Sequence, residues 1–225
     1  MATTYFGQVT GTQKTSLGRE PYYSRFTEFE KLDKNYILIG FTPGMAVQAA
    51  ELNEIQDNFQ KNLTLSNYMF SFWTPVLASY LQANPDETVE SILWNGAVPL
   101  NPAQVQVISG GIRFLVGWYY YTHPSGLCYW VHNNTQFDLS IQINSSTIGT
   151  FIGLTIDSSD ISAFEDQLLF DNSGGFVNTS SPGAYRIKNS IIEFTNTGNL
   201  TAIKPILTVT SNGYEWMNGI PLSGA

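Results

Sequence analysis

The sequence predicts an α+β fold that is mostly β: an N-terminal arm and one helix, followed by an antiparallel β-sandwich or barrel. Three observations predict it. After the Pro43-Gly44 turn, apolar residues recur at helical spacing up to Leu65 with no breaker between them. From Ile92 the pattern changes to period two, in short runs separated by Gly, Asn and Pro at intervals of about ten residues. No repeat of the kind that builds solenoids is visible. The chain of 225 residues is long enough for one large or two small domains. The expected division is an arm over 1–40, a helical segment over 41–86 and an antiparallel β-domain over 87–225, with the boundary at the linker Asn84-Pro-Asp-Glu87.

Residues Met1 to Arg19 are polar and rich in Gly and Thr. They read either as a frayed terminus or as an arm that orders by pairing with a neighbouring subunit. Glu20 to Lys34 sets Tyr22, Tyr23, Phe26 and Phe29 among charges, which suits a short helical turn. Tyr36-Ile-Leu-Ile-Gly-Phe41 reads as a strand or extended lead-in ending at the Pro43-Gly44 turn. In the helix, Ala49, Leu52, Ile55, Phe59 and Leu63 recur at steps of three and four. Between them lie Glu51, Asn53, Glu54, Asp57, Asn58, Gln60, Lys61 and Asn62. The apolar stripe is narrow and close to a coiled-coil seam, so Leu52, Ile55, Phe59 and Leu63 are the candidate assembly residues. A helix of this length is a rod of roughly 30 Å.

Ser66 to Gln82 is crowded with aromatics. Thr74-Pro75 reads as the N-cap and first residue of a second short helix over 75–82, leaving 67–73 open between helix and strand. The patch is either buried or an oligomer contact. Beyond the linker, 94–102 is turn-rich, Gln104 to Ile108 alternates, and Gly110-Gly111 signals a hairpin. Ile112–Tyr121, Leu127–His132, Phe137–Ile143, Thr147–Ile156, Ser190–Thr195 and Ile203–Thr210 are the remaining expected strands.

The net charge of −8, with only 12% charged residues, argues against a nucleic-acid-binding protein, whose affinity rests on Lys and Arg contacts to phosphate. The aromatic share of 14% is enough to build a core. One cysteine, Cys128, excludes an intrachain disulfide. Neither an 18-residue apolar run nor a signal-peptide pattern occurs, so no membrane insertion or usual export is expected. No nucleophile elbow, zinc-protease helix, phosphate loop or dinucleotide fingerprint is present, and the chain is read as no enzyme.

Cys128, Trp130 and His132 would share one strand face, with His123 nearby, yet a structural zinc site takes four ligands. No metal or cofactor is expected. Asp157, Asp160, Glu165, Asp166 and Asp171 cluster in sequence. A glycosidase pair or a Ca²⁺ site would use such residues, but so do ordinary turns. Trp118, Tyr119, Tyr120, Tyr121 and Trp130 suit either a core or a platform for stacking on sugar rings.

One stretch carries a resemblance: Glu165-Asp-Gln-Leu-Leu-Phe-Asp-Asn-Ser-Gly-Gly-Phe-Val-Asn-Thr-Ser-Ser-Pro-Gly-Ala-Tyr-Arg186. It resembles a signature of tailed-phage baseplate and tail-fibre proteins. There, an Asp-x-x-Leu-x-Asp segment is followed by a Gly, an Asn and Pro-Gly-Ala-Asp-Arg. That family domain often begins with a Pro-Gly turn and a helix similar to Gln48-Ala-Ala-Glu-Leu-Asn-Glu-Ile-Gln56. The two marks lie in the family's order and, with the β region between them, cover roughly residues 40–210. This chain departs by carrying Tyr185 where the Asp usually stands, so Arg186 needs another partner.

The resemblance implies a structural virion protein of the tail, made in the host cytoplasm, with no catalytic residues or cofactors to carry over. It implies a baseplate or tail-fibre adaptor joining neighbouring virion proteins. The alternative is a carbohydrate-binding receptor-recognition module at the tail tip. A capsule depolymerase would be expected to show β-helix repeats. Expected partners are other tail, baseplate or fibre proteins and copies of the chain itself, a trimer first. In the motif, Pro182 and Gly183 form a tight turn, and Asp166 or Asp171 is the expected partner of Arg186.

Overall fold

The computed structural model describes residues 34–41, 47, 49–88, 96–123, 125–169 and 184–222. The fold is α+β and mostly β, as expected. Strand β1 (Tyr36–Phe41) precedes the helix α1 (Ala49–Ala83). Then come β2 (Ala97–Pro99), β3 (Val105–Ile108), β4 (Gly111–Phe114), β5 (Gly117–Thr122), β6 (Cys128–Asn133), β7 (Phe137–Ser140), β8 (Phe151–Ile161), β9 (Ala184–Thr197), β10 (Lys204–Thr210) and β11 (Gly213–Trp216). Among the described residues they form a five-stranded sheet of order β1-β9-β8-β10-β11 and two three-stranded sheets, β2-β5-β6 and β3-β4-β7. The arm expected over 1–40 lies outside the described residues as far as 33.

Two compact units divide the chain, one from Met1–Thr64 and Ser158–Asn189, the other from Leu65–Asp157 and Ser190–Ala225. The division passes through α1 and through both long strands, β8 and β9. In the second unit, Leu65 and Trp73 are buried, and Met69, Val76, Leu77, Tyr80 and Leu81 are partly buried against a core drawn from all three sheets. That row has the 3.6-residue period of an amphipathic helix. Trp73 donates its indole N–H to the Pro99 carbonyl at 2.8 Å and meets Trp216 edge-on at 4.9 Å. Phe114 stacks on Phe194 at 4.1 Å.

The helix differs from expectation. It does not stop near Leu65 and restart at Pro75; it runs for 35 residues with Pro75 inside, about 50 Å at 1.5 Å per residue. An internal proline removes one helical hydrogen bond and costs about 3 kcal/mol. The packed row on both sides of Pro75 offsets that cost. The Thr74 hydroxyl donates back to the Phe70 carbonyl, so Thr74 serves the helix interior and not a cap. The expected linker at Asn84–Glu87 is where the helix ends, closed by Asn84 N–H and Nδ2 on the Tyr80 carbonyl.

The Gly110 hairpin is formed, with Ile108 opposite Gly111 and Gly110 at φ 82°. The single strand expected over 112–121 is two, because the chain breaks step at Leu115 and Val116. Gly117 there packs against the Gln104 amide, where a Cβ would lie 2.5 Å from Nε2. Conversely, β9 is far longer than the 190–195 expected, and β8 begins at Phe151, since 147–150 are a turn held by the Asn144 side chain.

Candidate functional site

The first unit places the helix of the resemblance beside the end of its β signature. An amphipathic helix in water normally turns its apolar stripe inward. Over 51–64 the reverse holds. All four charged side chains, Glu51, Glu54, Asp57 and Lys61, are buried, and all four large apolar ones, Leu52, Ile55, Phe59 and Leu63, are exposed, Phe59 to 64%. The candidate assembly residues therefore form an outward row.

The cause lies on β9. Arg186 has no exposed surface, and a guanidinium keeps its charge at any ordinary pH. It must meet a carboxylate, and Glu54 supplies one in a two-pronged geometry, Nε to Oε1 at 2.8 Å and Nη2 to Oε2 at 2.7 Å. Such paired bonds are the strongest that a carboxylate and an arginine make. Lys61, two turns further along the helix, directs its ammonium to the Tyr36 carbonyl at 3.4 Å and to Asn58 Oδ1 at 3.2 Å. Turning the apolar stripe inward would strip both cations of these partners.

This corrects the expected pairing of Arg186. Asp166 is engaged elsewhere, accepting from Lys34 Nζ at 2.5 Å and from the Tyr36 hydroxyl at 2.6 Å. Asp171, Pro182 and Gly183 lie outside the described residues. Tyr185 takes a separate role. It points away from Arg186, is partly exposed, and lays its ring over Gly40 across the β1–β9 ladder. A Cβ on Gly40 would fall 2.1 Å from the ring. Gly40→Ala is accordingly expected to cost about 1–3 kcal/mol by overpacking. Tyr185→Ala should remove most of that cost, a suppression that paired urea titrations would detect.

Burial, followed by the Asp166 hydrogen bond, pushes the Tyr36 phenol well above its ordinary range. Burial also raises Tyr119 and Tyr121, and pushes Tyr120 up to about 12 with a smaller contribution from Cys128. A raised folded-state value means that the neutral phenol is favoured by the fold. The stability it contributes is complete below the unfolded value near 10 and is lost as pH rises above it. The urea midpoint should therefore fall between about pH 10 and pH 12, with the phenolate absorbance of the buried Tyr36, Tyr119 and Tyr121 at 295 nm appearing only as the chain unfolds. A midpoint that stays level to pH 12 would contradict this.

Other sequence candidates do not converge. Trp118, Tyr119, Tyr121 and Trp130 are buried, so they form no flat platform for a sugar; Tyr120 is half-buried. His123 bonds Ser125, His132 bonds Asn134 and meets the Trp118 ring, and Cys128 is exposed. Glu165 accepts from Ser162, which holds its carboxyl below the usual range. Among the described residues no three His, Cys, Asp or Glu side chains gather as metal ligands, and no helix is long and apolar enough to cross a membrane. A groove of about 540 Å³ in the second unit, walled by Phe72, Val76, Val107, Trp216 and Leu222, has no titratable side chain among the described residues of its lining.

Sequence reasoning missed Glu54, Lys34, Tyr36 and Lys61. The signal for Glu54 and Lys61 was available, because Glu51, Glu54, Asp57 and Lys61 also recur at steps of three and four and mark a second helical face. No family model matches the chain, and no curated protein or solved structure matches it.

Proposed function

We propose that the chain is a structural, non-catalytic component of a phage tail, a baseplate or tail-fibre adaptor that joins neighbouring virion proteins and works as a homo-oligomer, a trimer first. One observation carries the reading. The two stretches that bear the resemblance are separate in sequence but meet in space. Glu54 of Gln48–Gln56 and Arg186 of the Pro-Gly-Ala-Tyr-Arg stretch are 132 residues apart and form one buried ion pair. Two marks resembling a family by chance have no reason to be each other's partners. The pairing also answers the departure at Tyr185, since Glu54 supplies the carboxylate that Arg186 needs.

The reading is tested on particles. Peptides of this chain should be found by mass spectrometry in tailed particles purified from cells that carry the gene, and antibody against the chain should label the tail end. A chain found only among soluble proteins and absent from the particles would overturn the proposal.

A further inference from the structure

We infer that the outward helix face bearing Leu52, Ile55, Phe59 and Leu63 binds the same face of another copy of this chain. The inference deepens the assembly part of the reading above, yet rests on geometry that does not depend on where the protein is used. The four side chains lie at steps of three and four on one side of α1, each more than two-fifths exposed. An apolar row of this spacing is what helices use to pack on one another. The Glu54–Arg186 pair holds the opposite face inward, so the row cannot be hidden by rolling the helix.

Charge identifies the occupant. The chain carries a net charge of −8, so acid on a contact surface would add close-range repulsion between two copies to a longer-range one that salt screens. This face is free of acid. Every charged residue between 51 and 64 is withdrawn to the buried side, and the exposed neighbours of the row are the uncharged Gln56, Gln60 and Asn62. Flanking charges are the usual device by which a helix selects a different partner and rejects its own kind. Their absence leaves the face permissive toward itself. The amides of Gln56 and Gln60 add to this, because each carries both a donor and an acceptor and matches an identical amide. An apolar row flanked by amides on an acidic protein is thus suited to a second copy.

The test is the mass of the full chain in solution by light scattering. Wild type should have a mass that is a whole multiple, two or more, of the 25.0 kDa chain. Phe59→Asp places a carboxylate in the centre of the row. It should fall to 25.0 kDa with unchanged helical circular dichroism, a weakening of association of at least about 30-fold. Phe164→Asp, at a still more exposed apolar residue off the helix, should leave the mass unchanged. Among chains carrying Cys128→Ser and one cysteine in place of Leu52, Ile55, Phe59 or Leu63, at least one pairing, of like or unlike positions, should form a disulfide under mild oxidation, a bond that needs Cα atoms within about 7 Å. A monomeric wild type would overturn the inference, as would an oligomer that survives Phe59→Asp or a set of row cysteines in which no pairing cross-links. Each of these results leaves the tail assignment to the particle experiment, so the two failures are distinguishable.

Discussion

Trp73→Ala is expected to lower the stability of the second unit by about 3–5 kcal/mol. Trp73 is 2% exposed and is one of the largest fully enclosed side chains among the described residues. It fastens the C-terminal half of α1 to the sheets in two ways, by its N–H on the Pro99 carbonyl and by its ring edge against Trp216. Alanine removes the indole volume and the donor together, in a core that cannot fully collapse around the gap. Trp73→Phe keeps much of the volume and loses chiefly the hydrogen bond, so it should cost less, about 1–2 kcal/mol. Urea unfolding followed by circular dichroism separates the two variants. A Trp73→Ala midpoint close to that of wild type would show that the helix is not docked through this residue.

Arg186→Met should be comparably severe in the first unit, at about 3–5 kcal/mol. The cost does not come from losing an attractive pair in water, where such pairs are worth little. It comes from leaving Glu54 as a buried carboxylate without its counter-charge. Glu54→Gln removes the opposite partner and should cost a similar amount, because Arg186 cannot shed its proton. The damage should be local. Tyr36, Lys61 and the β1–β9 ladder lie in the same unit as the pair, so amide protection should fall in β1 and in residues 49–64. Protection that falls first in β10 and β11 would contradict this.

The fold class was legible because the two periods are written plainly. Alternation in Val105–Ile108 and Phe137–Ser140, with glycine at Gly110, needs only local rules to become strands and a hairpin. The full length of α1 was not legible for a local reason. Thr74-Pro75 has the chemistry of a helix start, and only the core against which Trp73, Val76 and Leu77 pack makes it an interior site. The break between β4 and β5 escaped similarly, since the 112–121 run is apolar or aromatic except at Arg113 and Gly117, and its interruption depends on Gln104 packing against Gly117.

The candidate site was half legible. Leu52, Ile55, Phe59 and Leu63 were visible as a row. Which side of the helix that row would occupy was not visible, because two rows at helical spacing compete on the same segment. Hydrophobicity alone would turn the apolar row inward. Arg186, supplied by a strand 132 residues away, decides otherwise by requiring Glu54. Long-range choices of this kind leave no periodic trace in a single sequence, and the same is true of the assignment of Asp166 to Lys34 and Tyr36.

The outward helix face depends on Glu54 and Arg186 being each other's partners in the folded chain, and a double-mutant cycle tests that most directly. Stability would be measured for wild type, Glu54→Leu, Arg186→Met and the double variant. The double variant is expected to cost less than either single change, with a coupling of about 3 kcal/mol or more between the sites. Costs that add to within about 0.5 kcal/mol would mean that the two side chains do not meet. The helix would then be free to turn its apolar row inward, and both the outward face and the junction of the two marks would fall.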